Sequence, residues 1–478
     1  MNNNRTENNI TTAKKDIVFD TIMDRTTLLL SGARFTSAIA RLCLGPLLPI
    51  LSLSLNFGSN NNPALLLSSY SSGYLFTQIA GGYLADRFGY RIIVSTLVFL
   101  SAFILFYIST FATTPEEWIR AYFCLGLVSG PLYPSGSAAI ASNVAAHRRV
   151  SSFAIVDASA SAGTTIASLA PLVADYMGWR FVYQVTGFGL LCVSFGIMSS
   201  SLQQQQQQSD NNSDKTKTSS SPSLTSSSSK YPEKDVNEFE NRISSTTATA
   251  SIMFSPIVVC TYMCHCCDNF TKYSINSWAA TMLVNHHGAS PALVGSILAT
   301  QEFVGVVSKL LAGTLFSFSI HTMSSSSLFI KRGTISAIGF IIQGVALWCA
   351  FQAVTPIQTG MFFILSAIAT GSHSIGFRPI YLEASPKHAG AISGFGNSIA
   401  SCASVAAPII IGSSVYHQQS NIQGHHGENN TVSWSVVALY MIIVNICGAL
   451  AALCISYSSR KGTTQQIYRK EESIYKKK

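Results

Sequence analysis

What most constrains this chain is where its charges are missing. Runs of about twenty residues with almost no Asp, Glu, Lys or Arg recur along the sequence, and the charges gather in the short segments between them. A run of that length is what an α-helix needs to cross the hydrocarbon core of a bilayer. A chain that repeats it many times cannot fold around one water-soluble core. Only 11% of the residues are charged against 48% hydrophobic, where a soluble domain carries roughly 25% charged residues. The net charge of +9 does not indicate a nucleic-acid binder, because the basic residues flank apolar runs instead of forming one patch.

Spans are expected near 36–56, 64–85, 91–111, 120–142, 151–174 and 179–199, and again near 254–284, 291–316, 333–352, 358–384, 389–416 and 433–457. Between the two sets lies a stretch with a glutamine run, Gln203 to Gln208, followed by Ser-rich and charged sequence. Such composition cannot bury a core and reads as disordered. The expected organisation is an N-terminal tail (1–35), a six-helix bundle (36–199), a linker (200–252), a second six-helix bundle (253–457) and a basic tail (458–478).

Orientation follows from the loops. Lys and Arg crowd one set, with Arg25, Arg87, Arg91, Arg148, Arg149, Lys331, Arg332, Lys387 and Arg460. The alternate loops, 57–63, 112–118, 285–290, 353–357 and 417–432, are nearly empty of both. Positive loops stay inside, so both termini and the linker are expected in the cytosol. The Met1–Asp24 segment mixes Lys14 and Lys15 with Asp16, Asp20 and Asp24, unlike a cleaved signal or an acid-poor transit peptide. The eleven cysteines all fall in apolar segments and give no disulfide framework.

The sharpest motif is Gly82-Tyr83-Leu84-Ala85-Asp86-Arg87-Phe88-Gly89-Tyr90-Arg91, between spans two and three. Small glycines let helices approach closely, Gly89 permits a tight turn, and Asp86 can pair with a basic group as a latch. This stretch resembles the loop signature of the major facilitator superfamily. The equivalent loop after span eight is a serine run, Ser324 to Ser327, ending in Lys331 and Arg332, so a second latch is expected to be weakened.

Within that superfamily the chain resembles the anion–cation symporter family, the group of sodium–phosphate cotransporters, sialin, vesicular glutamate transporters and plastid phosphate transporters. The resemblance rests on Gly126-Leu127-Val128-Ser129-Gly130-Pro131-Leu132-Tyr133-Pro134 in span four, on Gly178-Trp179-Arg180-Phe181 at the start of span six, and on Asn269-Phe270-Thr271-Lys272-Tyr273-Ser274 with Trp278 in span seven. Its longest part is Gly376-Phe377, then Glu383-Ala384-Ser385-Pro386-Lys387-His388-Ala389-Gly390 with Gly394 and Asn397. Departures fall at positions the family implicates in coupling and substrate contact. Ser129 and Arg148 stand for glutamates, Tyr122 for an arginine and Ile380 for an asparagine.

Ionisable groups at membrane depth are costly and usually face a cavity or a partner. Arg41 stands where the resemblance puts a substrate-facing arginine; Arg34, nearer the helix end, is expected to snorkel. Asp268 and Lys272 are four apart and expected to pair on one helix face. Glu302 and Lys309 also share a face, and Glu302 is a candidate proton or cation site. Arg378 and Glu383 could be latch or ligand, and Asp157 either a packing group or a coupling carboxylate. Cys260, Cys264 and Cys267 share a face of span seven with His265 and Cys266 beside them, but consecutive helical residues diverge, so a helix interface is expected there and no metal.

The reading is an all-α polytopic membrane protein of the major facilitator fold, with about twelve transmembrane helices in two pseudo-symmetric bundles. It implies a non-enzymatic secondary transporter that works by alternating access, for inorganic phosphate or an organic anion coupled to sodium or protons. The alternatives are a facilitator or exchanger of a neutral or zwitterionic solute, or a sensor that binds and does not carry. The candidate substrate contacts are Arg41, Tyr133, Lys272, Tyr273 and Arg378. Candidate coupling groups are Glu302, Asp157 and Asp268. The candidate latch is Gly82, Asp86, Arg87, Gly89, Arg91, Arg149 and Glu383. No cofactor and no nucleic acid is expected, and a monomer in the lipid bilayer is.

Overall fold

The computed structural model describes residues 24–55, 63–144, 149–216, 252–320, 325–384, 389–422 and 434–460. Among them the chain is helical, and its helices combine into twelve spans. The first half holds α1 (Arg25–Leu42) with α2 (Leu44–Ser54), α3 (Pro63–Phe88), α4 (Tyr90–Thr110), α5 (Pro115–Ser129) with α6 (Leu132–Asn143), α7 (Arg149–Ser168) with α8 (Ala170–Met177), and α9 (Trp179–Thr216). The second half holds α10 (Pro256–Asn285), α11 (Pro291–Ile320), α12 (Ser325–Gln352), α13 (Pro356–Phe377) with α14 (Ile380–Glu383), α15 (Ala389–Ile422) and α16 (Ser435–Arg460). Eight of these stretches are long and apolar enough to cross a membrane by length and composition. The second, fourth, fifth and seventh spans are not among these eight, counted over the described residues.

Four spans are interrupted, each beside a proline that lacks the N–H a continuous helix needs. The breaks come at Cys43, ahead of Pro46 and Pro49, at Gly130-Pro131, at Leu169 ahead of Pro171, and at Arg378-Pro379. Two helix starts carry matching capping boxes. Thr114 and Glu117 cap α5, and Thr355 and Gln358 cap α13; in each the threonine side chain and the third helical residue satisfy one another's backbone N–H.

Two helix bounds differ from the sequence expectation. The first span begins at Arg25, not near 36, because the Asp24 carboxylate accepts from Thr27 N at 2.9 Å and caps the helix. The sixth span continues as helix through the glutamine run to Thr216; glutamine is a good helix former and a helix already nucleated in an apolar span extends readily through it. Asn429-Asn430-Thr431, a glycosylation sequon that the sequence places in an outward loop, and residues 217–251 lie outside the described residues.

The halves meet at the end remote from the termini. Gly45 lies so close to α10 that a Cβ there would stand 1.9 Å from the Asn276 carbonyl oxygen. A Cβ on Gly412 of α15 would meet Ala64 and Trp278 at 2.5 and 2.8 Å, and one on Gly295 of α11 would meet Leu172 at 3.3 Å. Trp278 Nε1 also donates to Pro408 O at 3.1 Å, tying α10 to α15.

Candidate functional site

One turn below the Gly45–Asn276 contact stand Arg41 of α1 and Lys272 of α10, each four residues ahead of its contact residue. Arg41 is half-buried. Its guanidinium lies 5.7 Å from the Tyr70 ring centre and 5.9 Å from that of Tyr273, so one ring comes from each half. Both distances are in the range of cation–π attraction. Arg41 has no ion pair among the described residues, and its buried Nε has no hydrogen-bond partner. Two turns further down, Arg34 lies 5.3 Å from the Tyr133 ring centre. It therefore packs on an aromatic face of its own half. The sequence reading did not single out Tyr70 and Tyr74, which stack at 6.0 Å and line α3 beside these arginines.

The second half is organised around Asp268. Its side chain is 3% exposed, and its Oδ2 accepts from Arg378 Nη2 at 2.8 Å. Thus the expected Asp268–Lys272 pair does not form. Lys272 lies one turn along the same helix, while the break at Pro379 ends α13 with Arg378 facing α10, so the cross-helix partner reaches the carboxylate first. Lys272 and Lys309 are half-buried electrostatic neighbours without an ion pair among the described residues. His373 of α13 is fully buried, with Nε2 3.9 Å from Asp268 Oδ1 and 3.0 Å from Gln343 Oε1. Gln343 in turn donates to Thr370 Oγ1 at 2.7 Å. His265 Nδ1 and the Tyr381 hydroxyl are 3.0 Å apart. Sequence reasoning passed over His373 because a lone histidine in an apolar run gives no signal of its partners.

Arg378 is 45% exposed on its side chain and borders the first half. The electrostatic neighbours of Tyr133 are Asp157, Arg34 and Arg378, so the exposed Asp157 of α7 stands across from Arg378 at the junction of the halves. Glu302 is half-buried in a second cleft between the halves, lined by Leu42, Thr164, Ser168, Asn276 and Gln301. There the Gln301 Oε1 and Asn276 Nδ2 atoms are buried without partners.

The latch residues divide. Glu383 binds Arg332 through two oxygens, with Arg332 Nε donating to Oε2 at 2.6 Å, and Arg332 Nη1 donates to Ile375 O at 2.8 Å. The second half therefore holds a well-formed charge clamp despite its degenerate loop, because an arginine at the foot of α12 suffices to reach α14. In the first half Gly89 has φ +82°, which its lack of a Cβ allows. Arg91 Nε donates to Tyr90 Oη at 2.9 Å, and Arg87 lies 5.6 Å from the Phe88 ring centre. The side chains of Gly82, Asp86 and Arg149 lie outside the described residues. Tyr122, at the changed arginine position, is buried among Trp118 and Tyr183, its hydroxyl 2.9 Å from that of Tyr183. Cys264 Sγ donates to Gly448 O at 3.6 Å, as a small residue on a helix seam does.

Comparison with known proteins gives concordant results. Vesicular glutamate transporter 3 of Danio rerio is 23% identical over 362 residues, 74% of this chain and 59% of its own length. The probable anion transporter 2, chloroplastic, of Oryza sativa subsp. japonica is 24% identical over 353 residues, covering 72% and 62%. Sialin of Ovis aries is 22% identical over 398 residues, covering 80% and 73%. The chain thus spans about 60% of the length of the first two relatives. Among solved structures, a bacterial homologue of the human lysosomal transporter Spinster, in an inward-facing and unoccupied conformation, superposes with a TM-score of 0.67 at 14% identity, over 92% of this chain and 97% of that one; this likeness concerns the fold alone. The family model of the Major Facilitator Superfamily matches residues 30–408, most of the chain. With twelve spans in two halves and charged side chains gathered at their junction, the chain belongs to the Major Facilitator Superfamily.

Proposed function

We propose that this protein is a secondary active transporter of a small anion, inorganic phosphate or an organic carboxylate, working by alternating access with both termini in the cytosol. The observation that carries the reading is Arg41. It sits between Tyr70 of one half and Tyr273 of the other, without a counter-charge and with an unpartnered Nε. An arginine fork is suited to a carboxylate or phosphate, and an unpaired cation at membrane depth is expensive unless a ligand or cavity water meets it. Arg34, Lys272 and Lys309 add positive charge around the junction. Since Arg378 is neutralised by Asp268, the remaining carboxylates, Asp157 and Glu302, leave the site net positive.

The glutamate, sialin and anion-transporter names of the relatives support the same substrate class. Asp157, Asp268 and Glu302 are the groups at which a proton or sodium ion would couple, with the protein acting as a monomer. The end closed by Gly45 and Asn276 makes this an inward-facing arrangement when the termini are cytosolic. Uptake by purified protein in proteoliposomes tests the reading, with phosphate, glutamate and sialate compared under imposed sodium or pH gradients. Uptake of one of these that Arg41→Ala removes supports it. Ligand binding without flux would mark a sensor, and flux of neutral solutes alone would mark a facilitator.

A further inference from the structure

The least explained group in the molecule is His373. It is fully buried in α13, its Nε2–H is committed to Gln343 Oε1 at 3.0 Å, and its Nδ1 has no partner. The direction of that bond is set by Gln343, whose Nε2 donates to Thr370 Oγ1 and leaves Oε1 as the acceptor. A neutral imidazole therefore carries its idle lone pair on Nδ1, while its Nε2 lies 3.9 Å from the Asp268 carboxylate, which Arg378 already holds at 2.8 Å. The ring is stacked on Phe340 at 4.2 Å between centres and 5° between planes.

We infer that His373 is the site at which a proton binds, and that its binding releases Arg378 from Asp268 toward the anion. The inference rests on the anion-transport reading for its consequence, though not for the proton site itself. The step balances simply. A hydronium ion gives its proton to the Nδ1 lone pair, one N–H bond forms, one O–H bond breaks, and water is left. Before the step the trio of His373, Asp268 and Arg378 carries no net charge; afterwards it carries one positive charge, and one carboxylate faces two cations. The added charge stands beside Asp268, whose Oδ1 is 3.9 Å from Nε2 of the same ring, and draws the carboxylate toward the imidazolium. Arg378 then has a weaker claim on Asp268. Being half-exposed at the Pro379 break, it can turn to an anion at the junction or to Asp157 across it.

The charges facing His373 are consistent with this role. Asp268 faces it from α10, and Lys309 from α11. From α12 it meets Gln343 and Phe340, while Arg332 on that helix is tied to Glu383. On its own span the neighbouring ionisable groups are Arg378 and Tyr381. Asp268 is thus the one carboxylate in reach among the described residues, and it must be shared. The arrangement makes proton and anion binding cooperative, because each favours the state in which Arg378 is free.

The test is the charge displaced by a pH jump, measured on a solid-supported membrane with the full-length protein in proteoliposomes and no substrate present. Wild type is expected to give a transient current with a single titration midpoint. His373→Gln, checked for a monodisperse profile in detergent, is expected to lose it, and His287→Asn, in a loop at the remote end, to keep it. Gln343→Leu retains the imidazole and removes the Nε2–H acceptor, so the midpoint is expected to move to lower pH; it decides the matter if His373→Gln does not fold. An unchanged current in His373→Gln, an unmoved midpoint in Gln343→Leu, or no current in wild type overturns the inference. A His373-dependent current with no uptake of phosphate, glutamate or sialate would leave the proton site standing and remove the anion reading. Uptake that ignores the pH gradient, with no such current, would do the reverse.

Discussion

The two halves place different chemistry at matching positions. Arg34 and Arg41 in α1 stand at the same offsets from Gly45 as His265 and Lys272 in α10 do from Asn276, the residues through which the halves touch. The fourth and tenth spans both break at a proline followed by an aliphatic residue and a tyrosine, Pro131-Leu132-Tyr133 and Pro379-Ile380-Tyr381. In one half Arg34 packs on Tyr133; in the other His265 meets Tyr381. Where the second half has the Asp268–Arg378 pair, the first has Ser37 and Gly130, and a Cβ on Gly130 would already stand 2.2 Å from Thr77 Oγ1. The first half therefore presents cations held by aromatic faces and open to an anion. The second closes its charge into an internal network of carboxylate, arginine and histidine. On the proposed reading, attraction and switching are divided between two copies of one architecture.

If this division is right, Arg41→Ala has the largest effect. It removes the cation that bridges Tyr70 and Tyr273, and anion uptake in proteoliposomes should fall to background at equal expression. Arg41→Lys keeps the charge and loses the fork, so it should retain part of the uptake. Wild-type uptake in Arg41→Ala would make the two halves equivalent and move the anion site to Lys272 and Lys309.

Asp268→Asn probes the other half and should act on stability as well as transport. Removing one member of a buried ion pair typically costs about 3–5 kcal/mol. Here Arg378 is half-exposed and can be hydrated, so the expected loss is nearer the ~1–3 kcal/mol of an unsatisfied buried polar group. Thermal melting in detergent measures it. The double variant Asp268→Asn with Arg378→Gln should recover much of that loss, whereas an Arg41→Ala background should not, because Arg41 belongs to the other half.

A cost of similar size, confined to one conformation, is expected from Gly45→Val, which loads the contact between the halves. Its Cβ would collide with the Asn276 backbone, which cannot rotate away as a side chain could. Overpacking of this kind costs about 1–3 kcal/mol, and it falls only on conformations in which this end is closed. The maximal uptake rate should drop while the anion concentration at half-saturation stays nearly constant. A change confined to half-saturation would place Gly45 in the anion site instead.

Much of this was legible in the sequence because bilayer spans announce themselves by absence of charge, and because an ionisable residue in such a run is conspicuous. Arg41, Asp268 and Arg378 were found that way. Their partners were not. Sequence spacing favours a residue one turn away, such as Lys272 for Asp268, but helix packing brought Arg378 from another span to the carboxylate. Arg332 and Glu383 met for the same reason, from spans nine and ten, across a loop whose motif looked eroded. His373 and Gln343 sit in apolar runs as single polar residues, and only the packing of α12 on α13 gives them a common purpose.

The smallest expected effect lies at the capping boxes, where the halves are most alike. Thr114 and Glu117 cap α5 as Thr355 and Gln358 cap α13, so the same geometry is closed by a carboxylate in one half and by an amide in the other. Glu117 Oε2 accepts from the backbone N–H groups of Thr113 at 2.8 Å and of Thr114 at 3.1 Å. These bonds favour the ionised form and hold its pKa below the ordinary glutamate value. A carboxyl group lowered in this way adds stability that is present above its unfolded-state value, about pH 4.3, and is lost as pH falls through the folded-state value. Gln358 does not titrate, so its cap is indifferent to pH. Glu117→Gln should therefore make the first half imitate the second. Its melting temperature should lie slightly below wild type at neutral pH, since the amide is a weaker acceptor, and the gap should close as the pH is lowered into the acid range. Because the group is fully exposed, the gap should also shrink in high salt. A constant gap from neutral to acid pH would show that the carboxylate contributes nothing by its charge, and that the two caps are equivalent in energy as well as in shape.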